Sequence, residues 1–303
     1  MASREGHEGL DGLVTESRRR AGADYSARST QELVQLMNHE DAVVPAVVGA
    51  AAPAIAGAID DVVDRLERGG RLIYVGAGTS GRMGALDAEE CEATFSTEPG
   101  QVQALVAGGT LSSPEREAAE DDAEAGARAL EEISVGPDDT VVGVSASGRT
   151  PYVAGALSAA AAAGALAVCV VSAPESELTR IADHEILVVV GPEFVAGSTR
   201  LKAGTAQKLV LNTISTVAMI RLGKTFDDLM VDVRASNEKL EARARRIVSL
   251  STGASAEQAD RALADADGSA KVAIVSLLGG LDADSARSRL DRAKGNIRTA
   301  LQR

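Results

Sequence analysis

Aromatic residues are scarce in this 303-residue chain, which has three Tyr, three Phe and no Trp. Proteins that hold single-stranded nucleic acid stack its bases on aromatic side chains, so the composition argues against that class. An excess of positive charge is missing as well, because 31 Lys and Arg stand against 44 Asp and Glu, a formal net charge of −13. We therefore predict no nucleic-acid partner. The acidic balance does not exclude a small anionic ligand, since backbone amides at a helix N-terminus can bind phosphate.

Cysteine and histidine are also sparse. The two cysteines, Cys91 and Cys169, lie in apolar stretches, and the three histidines are scattered along the chain. This spacing is unlike that of a metal-ligand set, and cysteines among apolar residues usually pack as small buried side chains. We therefore predict no metal site and no disulfide.

One uncharged stretch, residues 150–174, is long enough to cross a membrane. Most of it is alanine, Pro151 opens it and Gly164 interrupts it, so we interpret it as a helix, a turn and a strand. The N-terminus is polar and acidic, which argues against a signal peptide. These features predict a soluble cytoplasmic protein with no membrane partner.

Short apolar segments alternate with predicted helices through the middle of the chain. Runs that are apolar on both sides and separated by helices are typical of a parallel sheet covered on both faces. We therefore predict an α/β fold. The predicted strands cover residues 71–75, 102–108, 140–145, 166–172 and 185–190. The predicted helices run from the loop after the first strand to Glu92, from Ser113 to Ile133, from Pro151 onward, and over residues 199–223.

The two ends of the chain depart from this pattern. Residues 1–30 are polar and irregular, which predicts an N-terminal arm. Residues 31–249 then hold the α/β domain, and residues 250–303 form a small helical subdomain. Its three short helices are predicted over residues 255–264, 269–278 and 283–293.

Two loops rich in glycine and hydroxyl groups follow predicted strands. The first is GAGTSG at 76–81 and the second is SASGRT at 145–150, and each leads into a helix. Ligands of open α/β sheets bind at the carboxyl ends of the strands, where amides and hydroxyls can hold phosphate. The loops therefore predict a phosphate-ester site. The first loop also matches G-x-G-x-x-G, but the acidic residue that a dinucleotide site needs after the second strand is missing.

Two carboxylates lie between the first loop and the second, one on the helix after the first predicted strand and one on the helix after the second. Glu90 shares a helix face with Met83, Leu86 and Asp87, because the four are spaced i, i+3, i+4 and i+7. That face favours Glu90 over its neighbours as a functional acid. Glu120 belongs to an acidic run that is typical of a solvated helix face, so spacing alone does not single it out.

Longer blocks of the sequence resemble a known family. They are similar to N-acetylmuramic acid 6-phosphate etherases, which carry a sugar-isomerase (SIS) domain and are related to the glucokinase regulatory protein. The resemblance extends over residues 10–303 and implies an SIS-type three-layer sandwich with a parallel sheet, plus a C-terminal helical subdomain. The blocks are GRLIYVGAGTSGRMGALDAEEC (70–91), VVGVSASGRTPYV (141–153), GPEFVAGSTRLKAGTAQKLVLN (191–212) and DLMVDVRASNEKLEARARRI (228–247).

The resemblance also implies a reaction. Enzymes of this family are carbon–oxygen lyases that cleave the D-lactyl ether of N-acetylmuramic acid 6-phosphate, which gives N-acetylglucosamine 6-phosphate and D-lactate. The family reaction is an elimination followed by addition of water, in the catabolism and recycling of cell-wall amino sugars. It implies no metal or redox cofactor. Family members pair as homodimers, so we expect a homodimer.

Site residues follow from the same resemblance. Glu90 matches the family's catalytic glutamate in a D-A-x-E-C block and would protonate the departing lactate. Glu120 matches a second glutamate and would remove the C2 proton. Each carboxyl would need a raised pKa, for which we expect partial burial. The residues implied to hold the 6-phosphate are Thr79, Ser80, Ser145, Ser147 and Thr150, and those implied to lie near the sugar are Glu193, Ser198 and Lys202.

Two alternatives stay open on the sequence alone. A sugar-phosphate isomerase uses the same fold with one base, and a non-catalytic sugar-phosphate sensor needs the loops but not both glutamates. The presence of both Glu90 and Glu120 favours the etherase. The N-terminal arm departs from the family, because the Arg-Asn-Pro that usually comes soon after Leu-Val-Thr-Glu is absent, and Ser-Arg-Arg-Arg follows Glu16 instead.

Overall fold

The computed structural model describes residues 14–18, 24–109, 113–232 and 238–302, so much of the predicted N-terminal arm lies outside the described residues. These residues form two compact units. The first contains the residues up to Ala88 together with Gly100–Ile214, and the second contains Glu89–Pro99 and the residues from Ser215 onward. The division of the chain into segments 1–30, 31–249 and 250–303 stays a prediction.

In the described part of the first unit, five parallel strands form one sheet. Their bounds are β1 (Leu72–Gly76), β2 (Val102–Val106), β3 (Thr140–Ser145), β4 (Leu166–Val171) and β5 (His184–Leu187). They lie in the order β2-β1-β3-β4-β5, and β1, β3 and β4 are buried at every position. The predicted parallel sheet is confirmed, although β5 ends three residues earlier than the predicted segment 185–190.

Helices connect the strands. Those of the described ranges that lie wholly or partly in the first unit are α1 (Thr30–Asp41), α2 (Val44–Ala50), α3 (Ala52–Glu67), α4 (Gly78–Phe95), α5 (Ser113–Glu120), α6 (Ala123–Glu132), α7 (Pro151–Ala162) and α8 (Lys202–Arg221). The start of α1 shows how the sequence sets a boundary. The Ser29 hydroxyl accepts the Glu32 amide proton, and the Glu32 carboxylate accepts the Ser29 amide proton, a reciprocal capping box.

The helix predicted from Ser113 to Ile133 is two helices, so that prediction is wrong. α5 ends at Glu120, and the Asp122 carboxylate accepts the Ala125 amide proton at 2.8 Å and caps the start of α6. Aspartate favours a helix start over a helix interior because its short side chain bonds to nearby backbone. The break leaves Glu120 at the end of a helix.

Alternate residues of the strands face opposite layers of helices. Ile73 and Cys169 pack in one buried cluster with Val153 and Leu157 of α7. Their strand neighbours point the other way, to the face where α3 contacts β4 and β5. The sheet is therefore covered on both faces, as predicted. Both cysteines are buried, as predicted, and burial raises the pKa of the Cys169 thiol to about 12.

Glycine lets α6 and α7 approach each other closely. A Cβ added at Gly155 would lie 1.9 Å from the Ala123 carbonyl oxygen, which is backbone and cannot rotate away. We expect Gly155→Ala to lower the free energy of unfolding by about 1–3 kcal/mol or more, as overpacking does. Gly49→Ala in α2 is the matched control, because a Cβ there would meet nothing within 4 Å. Urea unfolding of both variants measures the difference, and equal midpoints would contradict the prediction.

The second unit is mainly helical. Its described elements after α8 are β6 (Thr225–Phe226), β7 (Leu229–Met230), α9 (Glu238–Thr252), α10 (Ala256–Asp265), α11 (Ala270–Gly279), α12 (Ala283–Arg292) and α13 (Ile297–Gln302). Val248 and Ile274 are fully buried in its core. The three helices predicted after residue 250 are confirmed as α10, α11 and α12. The β6–β7 hairpin and α13 were not predicted.

No single helix in the described ranges is both long and apolar enough to cross a membrane. The segments Thr30–Ala50 and Ala52–Glu67 pass the test of length and composition only as a pair, and they are bent by 56° where they meet.

Candidate active site

The two glycine-rich loops lie side by side at the carboxyl end of the sheet. Loop 1 (residues 76–81) follows β1, loop 2 (residues 145–150) follows β3, and Gly76 is the register partner of Val144 on these adjacent strands. The sheet extends in opposite directions from this pair, with β2 beyond β1 and β4 beyond β3. Such a switch point opens a crevice in which α/β sheets bind ligands. The predicted position of the loops at the strand ends is confirmed.

Loop 1 needs glycine at two positions. A Cβ at Gly76 would lie 2.6 Å from the Gly81 nitrogen, and one at Gly81 would lie 2.6 Å from the Gly76 carbonyl oxygen. The chain therefore turns directly from β1 into α4, whose first turn carries Thr79 and Ser80. Both side chains are half-buried. The Ser80 hydroxyl donates a hydrogen bond to the side-chain oxygen Oε1 of Gln207 at 3.0 Å.

Loop 2 is held by its own hydroxyls. The Ser145 and Thr150 hydroxyl oxygens lie 2.9 Å apart, and the Gly148 amide donates to Ser145 Oγ at 3.0 Å. Ser145 and Thr150 are buried, whereas Ser147 is half-buried and accepts the Arg149 amide proton at 3.3 Å. Ser145 and Thr150 thus fix the shape of the loop, and Ser147 is the more accessible hydroxyl. Their contact with a phosphate group stays a prediction.

Glu120 lies against loop 2. The Thr150 hydroxyl donates to its carboxylate oxygen Oε1 at 3.3 Å, and the side chain is half-buried. The expected partial burial of Glu120 is therefore confirmed. The contact depends on the break after α5, because that break ends the helix at this residue.

A cavity of about 490 Å³ joins loop 1 to Glu120. This volume lies within the range of about 300–1,000 Å³ that small-molecule sites occupy. The site therefore combines a helix N-terminus, a hydroxyl and a carboxylate. Its lining residues are Gly78, Thr79, Arg82, Ala104, Val106, Ala107, Gly109, Glu117 and Glu120.

Arg82 is a cavity residue that our sequence analysis did not select. Its side chain is exposed on the first turns of α4. A cation near a helix N-terminus is unfavourable because the helix dipole is positive there. An arginine so close to the start of a helix therefore indicates an anion site. A negatively charged ligand between the Arg82 guanidinium and the helix N-terminus would remove their repulsion.

Glu90 is exposed, so its expected partial burial is wrong for the single chain. The helix face that α4 buries includes Gly84, Asp87, Ala88 and Cys91, and Glu90 lies outside it. Asp87 belongs to that face because its carboxylate accepts hydrogen bonds from the Tyr74 hydroxyl at 2.7 Å and the Asn212 amide at 2.5 Å. Glu90 belongs to the second compact unit and is not among the lining residues of the cavity. Its catalytic role stays a prediction.

Glu193 and Lys202 have partners within the fold. The buried Glu193 carboxylate accepts the amide protons of Lys202 at 3.0 Å and Ala203 at 2.9 Å, which anchors the start of α8. The buried Lys202 ammonium pairs with the Glu40 carboxylate at 3.3 Å. These contacts account for both charges without a ligand, and proximity of the two residues to the sugar stays a prediction.

The described part of the N-terminal arm packs on the segment before α8. The Gly197 amide donates to the Thr15 carbonyl oxygen at 3.2 Å, and the Tyr25 ring stacks on Phe194 with centroids 4.7 Å apart. Ser198, the third residue expected near the sugar, is half-buried in this segment, and its role also stays a prediction. The arm therefore supports the segment even though its sequence departs from the family.

Comparisons with known proteins agree on the fold and point to a family. Residues 54–161 match the glucokinase regulatory protein N-terminal SIS domain, and residues 122–216 match the SIS domain. The chain is 58% identical to an N-acetylmuramic acid 6-phosphate etherase of Rubrobacter xylanophilus, over 97% of each chain. It is 55% identical to one of Streptomyces avermitilis, over 96% of this chain and 94% of the other.

A solved structure shows the same fold at low sequence identity. A phosphoheptose isomerase from Francisella tularensis superposes with a TM-score of 0.51 and 15% identity, over 64% of this chain and all of that one. This likeness supports the SIS-type architecture of the sheet and its helices.

Proposed function

This chain belongs to the N-acetylmuramic acid 6-phosphate etherase family, and on that premise we propose that it cleaves the D-lactyl ether of N-acetylmuramic acid 6-phosphate. The products are N-acetylglucosamine 6-phosphate and D-lactate, in the catabolism and recycling of cell-wall amino sugars. The structural observation that supports this reaction is a single cavity beside the loops. Thr79, Arg82 and Glu120 all line it. It offers donors for a phosphate ester and a carboxylate base in one place.

The proposed reaction begins at C2 of the open-chain sugar. The aldehyde at C1 makes the C2 proton acidic, and the Glu120 carboxylate removes it. Removal of the proton leaves an enolate, whose electron pair then forms the C2–C3 double bond as the C3–oxygen bond breaks and Glu90 donates a proton to the lactate oxygen. Water then adds to C3 while Glu90 takes its proton, and the proton on Glu120 returns to C2. The elimination needs two proton transfers, from C2 and to the ether oxygen, and neither occurs readily at neutral pH. Carboxyl groups positioned beside both atoms would catalyse these transfers.

The loops are proposed to hold the 6-phosphate. The first amides of α4, the Thr79 and Ser80 hydroxyls and the Arg82 guanidinium supply donors at loop 1. Thr150 of loop 2 contacts Glu120 directly. Phosphate contacts at the loops would therefore fix the position of the sugar relative to its base, which is how distant binding groups assist a reaction.

Release of D-lactate tests the proposal. Purified protein is incubated with N-acetylmuramic acid 6-phosphate, and D-lactate is measured with D-lactate dehydrogenase. We expect release from the phosphorylated sugar and far less from N-acetylmuramic acid, because the unphosphorylated sugar lacks the group that the loops would bind. Well-folded protein that binds the phosphorylated sugar without releasing lactate would contradict the proposal and favour a sensor. Conversion to an isomeric sugar phosphate would favour an isomerase.

A homodimer in the cytoplasm is part of the same proposal. Val34 and Val195 are large apolar side chains that are 63% and 55% exposed in the single chain, and a partner subunit would cover such groups. Burial of Glu90 against the partner subunit is part of this proposal. Light scattering that gives the mass of one chain would contradict the dimer.

A further inference from the structure

Gln207 of α8 lies directly behind the hydroxyls of loop 1. It is 1% exposed, and its side-chain oxygen Oε1 accepts the Ser80 hydroxyl proton at 3.0 Å. Its side-chain nitrogen Nε2 is buried and has no hydrogen-bond partner among the described residues. One turn earlier, Gly204 packs on Thr79, because a Cβ there would lie 3.3 Å from Thr79 Cγ2. One face of α8 therefore supports both hydroxyl residues of loop 1.

The direction of the Ser80 proton matters for anion binding. A serine hydroxyl carries one proton, and in this structure that proton points to Gln207. The oxygens of a phosphate dianion only accept hydrogen bonds, so they need the Ser80 proton that is donated to Gln207 in this structure. Rotating the Gln207 carboxamide by half a turn exchanges its oxygen and nitrogen in nearly the same shape. The nitrogen would then donate to Ser80 Oγ, and the Ser80 proton would be free for phosphate.

The same rotation gives the buried nitrogen Ser80 Oγ as its partner and moves Oε1 to the position that Nε2 occupies in this structure. Buried amide groups without partners destabilise a protein, and natural structures contain few of them. The unpartnered nitrogen therefore marks Gln207 as a side chain that can donate a hydrogen bond it does not donate in this structure.

We propose that Gln207 is a positioning residue that orients the Ser80 hydroxyl toward the phosphate group of the substrate. The inference rests on the proposed function, since it takes loop 1 as the phosphate site. Gln207 acts through Ser80 and does not touch the reacting atoms. It contributes to phosphate affinity because a glutamine, unlike an acceptor-only side chain, can donate to Ser80.

Two substitutions at this position separate orientation from packing. Gln207→Glu places an acceptor there, so the Ser80 hydroxyl keeps donating to the carboxylate, whereas Gln207→Met fills the space without a hydrogen bond. Calorimetry measures binding of N-acetylglucosamine 6-phosphate from pH 5 to 8, relative to wild type at each pH. At pH 8 we expect Gln207→Glu to weaken binding about 100-fold and Gln207→Met about 10-fold, the range for a hydrogen bond to a charged group.

Acidification provides the readout that a packing role would not change. Once protonated, the carboxyl group introduced by Gln207→Glu can donate to Ser80, so the relative affinity of that variant should recover toward wild type as the pH falls. The relative affinity of Gln207→Met should stay constant. Equal losses in both variants at every pH would overturn the proposal. Thr205→Ala, on an exposed position of the same helix, is the control and should bind like wild type.

The Ser80→Ala background tests the route through Ser80. If Gln207 acts by orienting that hydroxyl, Gln207→Met should weaken binding no further once Ser80 is alanine. Additive losses would overturn the proposal even if Gln207→Glu did not fold, and thermal unfolding of every variant monitors folding. Wild-type protein that binds N-acetylglucosamine as tightly as its 6-phosphate would overturn the phosphate site and this inference together. A clear wild-type preference with additive losses would overturn the inference alone.

Discussion

Replacing Glu120 by glutamine is expected to lower kcat for D-lactate release by about 10²–10⁴-fold, the usual contribution of a positioned acid or base. A carboxamide cannot take the C2 proton, so the elimination cannot begin. Its oxygen can still accept the Thr150 hydroxyl proton that Glu120 accepts at 3.3 Å, so loop 2 should keep its shape. We therefore expect KM to change much less than kcat.

Exchange of the C2 hydrogen gives a second measure of the same step. In deuterated water, wild-type protein should incorporate deuterium at C2 of N-acetylglucosamine 6-phosphate, and Glu120→Gln should not. Glu124→Gln is the control, because Glu124 is an exposed acid on the first turn of α6 and should leave both rates unchanged. Normal exchange in Glu120→Gln would show that another group is the C2 base.

The sheet and the loops could be predicted because their signals are local. β1, β3 and β4 are short and buried at every position, so their sequences are apolar throughout and differ from the helices between them. A loop that follows such a strand must lie at its carboxyl end. The position of both loops therefore follows from the strands alone, without knowledge of the strand order.

The contacts of the site could not be predicted in the same way because they join distant segments. Ser80 and Gln207 are 127 positions apart, and no periodicity in the sequence connects them. Glu120 looked like one of several solvated acids, and its contact with Thr150 depends on a helix break at Asp122. In a run of acidic residues the sequence does not show which aspartate caps a helix, because its neighbours have similar side chains.

The error at Glu90 has a different cause. The spacing i, i+3, i+4 and i+7 correctly groups residues along a helix, but it does not say which face is buried. In α4 the buried face is lined by small residues such as Gly84 and Ala88, and Leu86 is 42% exposed. The polar Asp87 is buried because Tyr74 and Asn212 satisfy its carboxylate. A count of apolar residues therefore selects the wrong stripe.

Glu90→Gln is expected to lower D-lactate release by about 10²–10⁴-fold as well, but it should leave C2 exchange in place. The proposed role of Glu90 begins only when the C3–oxygen bond breaks, because lactate leaves poorly as an unprotonated alkoxide. With Glu120 intact, the C2 proton can still be removed and returned. Glu90→Gln should therefore lose D-lactate release but keep exchange of the C2 hydrogen, whereas Glu120→Gln should lose both.

Glu89→Gln is the matched control, since Glu89 is an exposed neighbour on the same helix and should retain full release. Lactate release and C2 exchange together also show which glutamate is the C2 base and which is the acid for the leaving group. If Glu90→Gln abolished exchange while Glu120→Gln preserved it, the roles of the two glutamates would be reversed. If both variants released lactate at the wild-type rate, neither carboxylate would be catalytic. Glu89 and Glu90 are both exposed in the single chain. A large loss of activity in Glu90→Gln together with none in Glu89→Gln would therefore show that only Glu90 of these two adjacent acids takes part in the reaction.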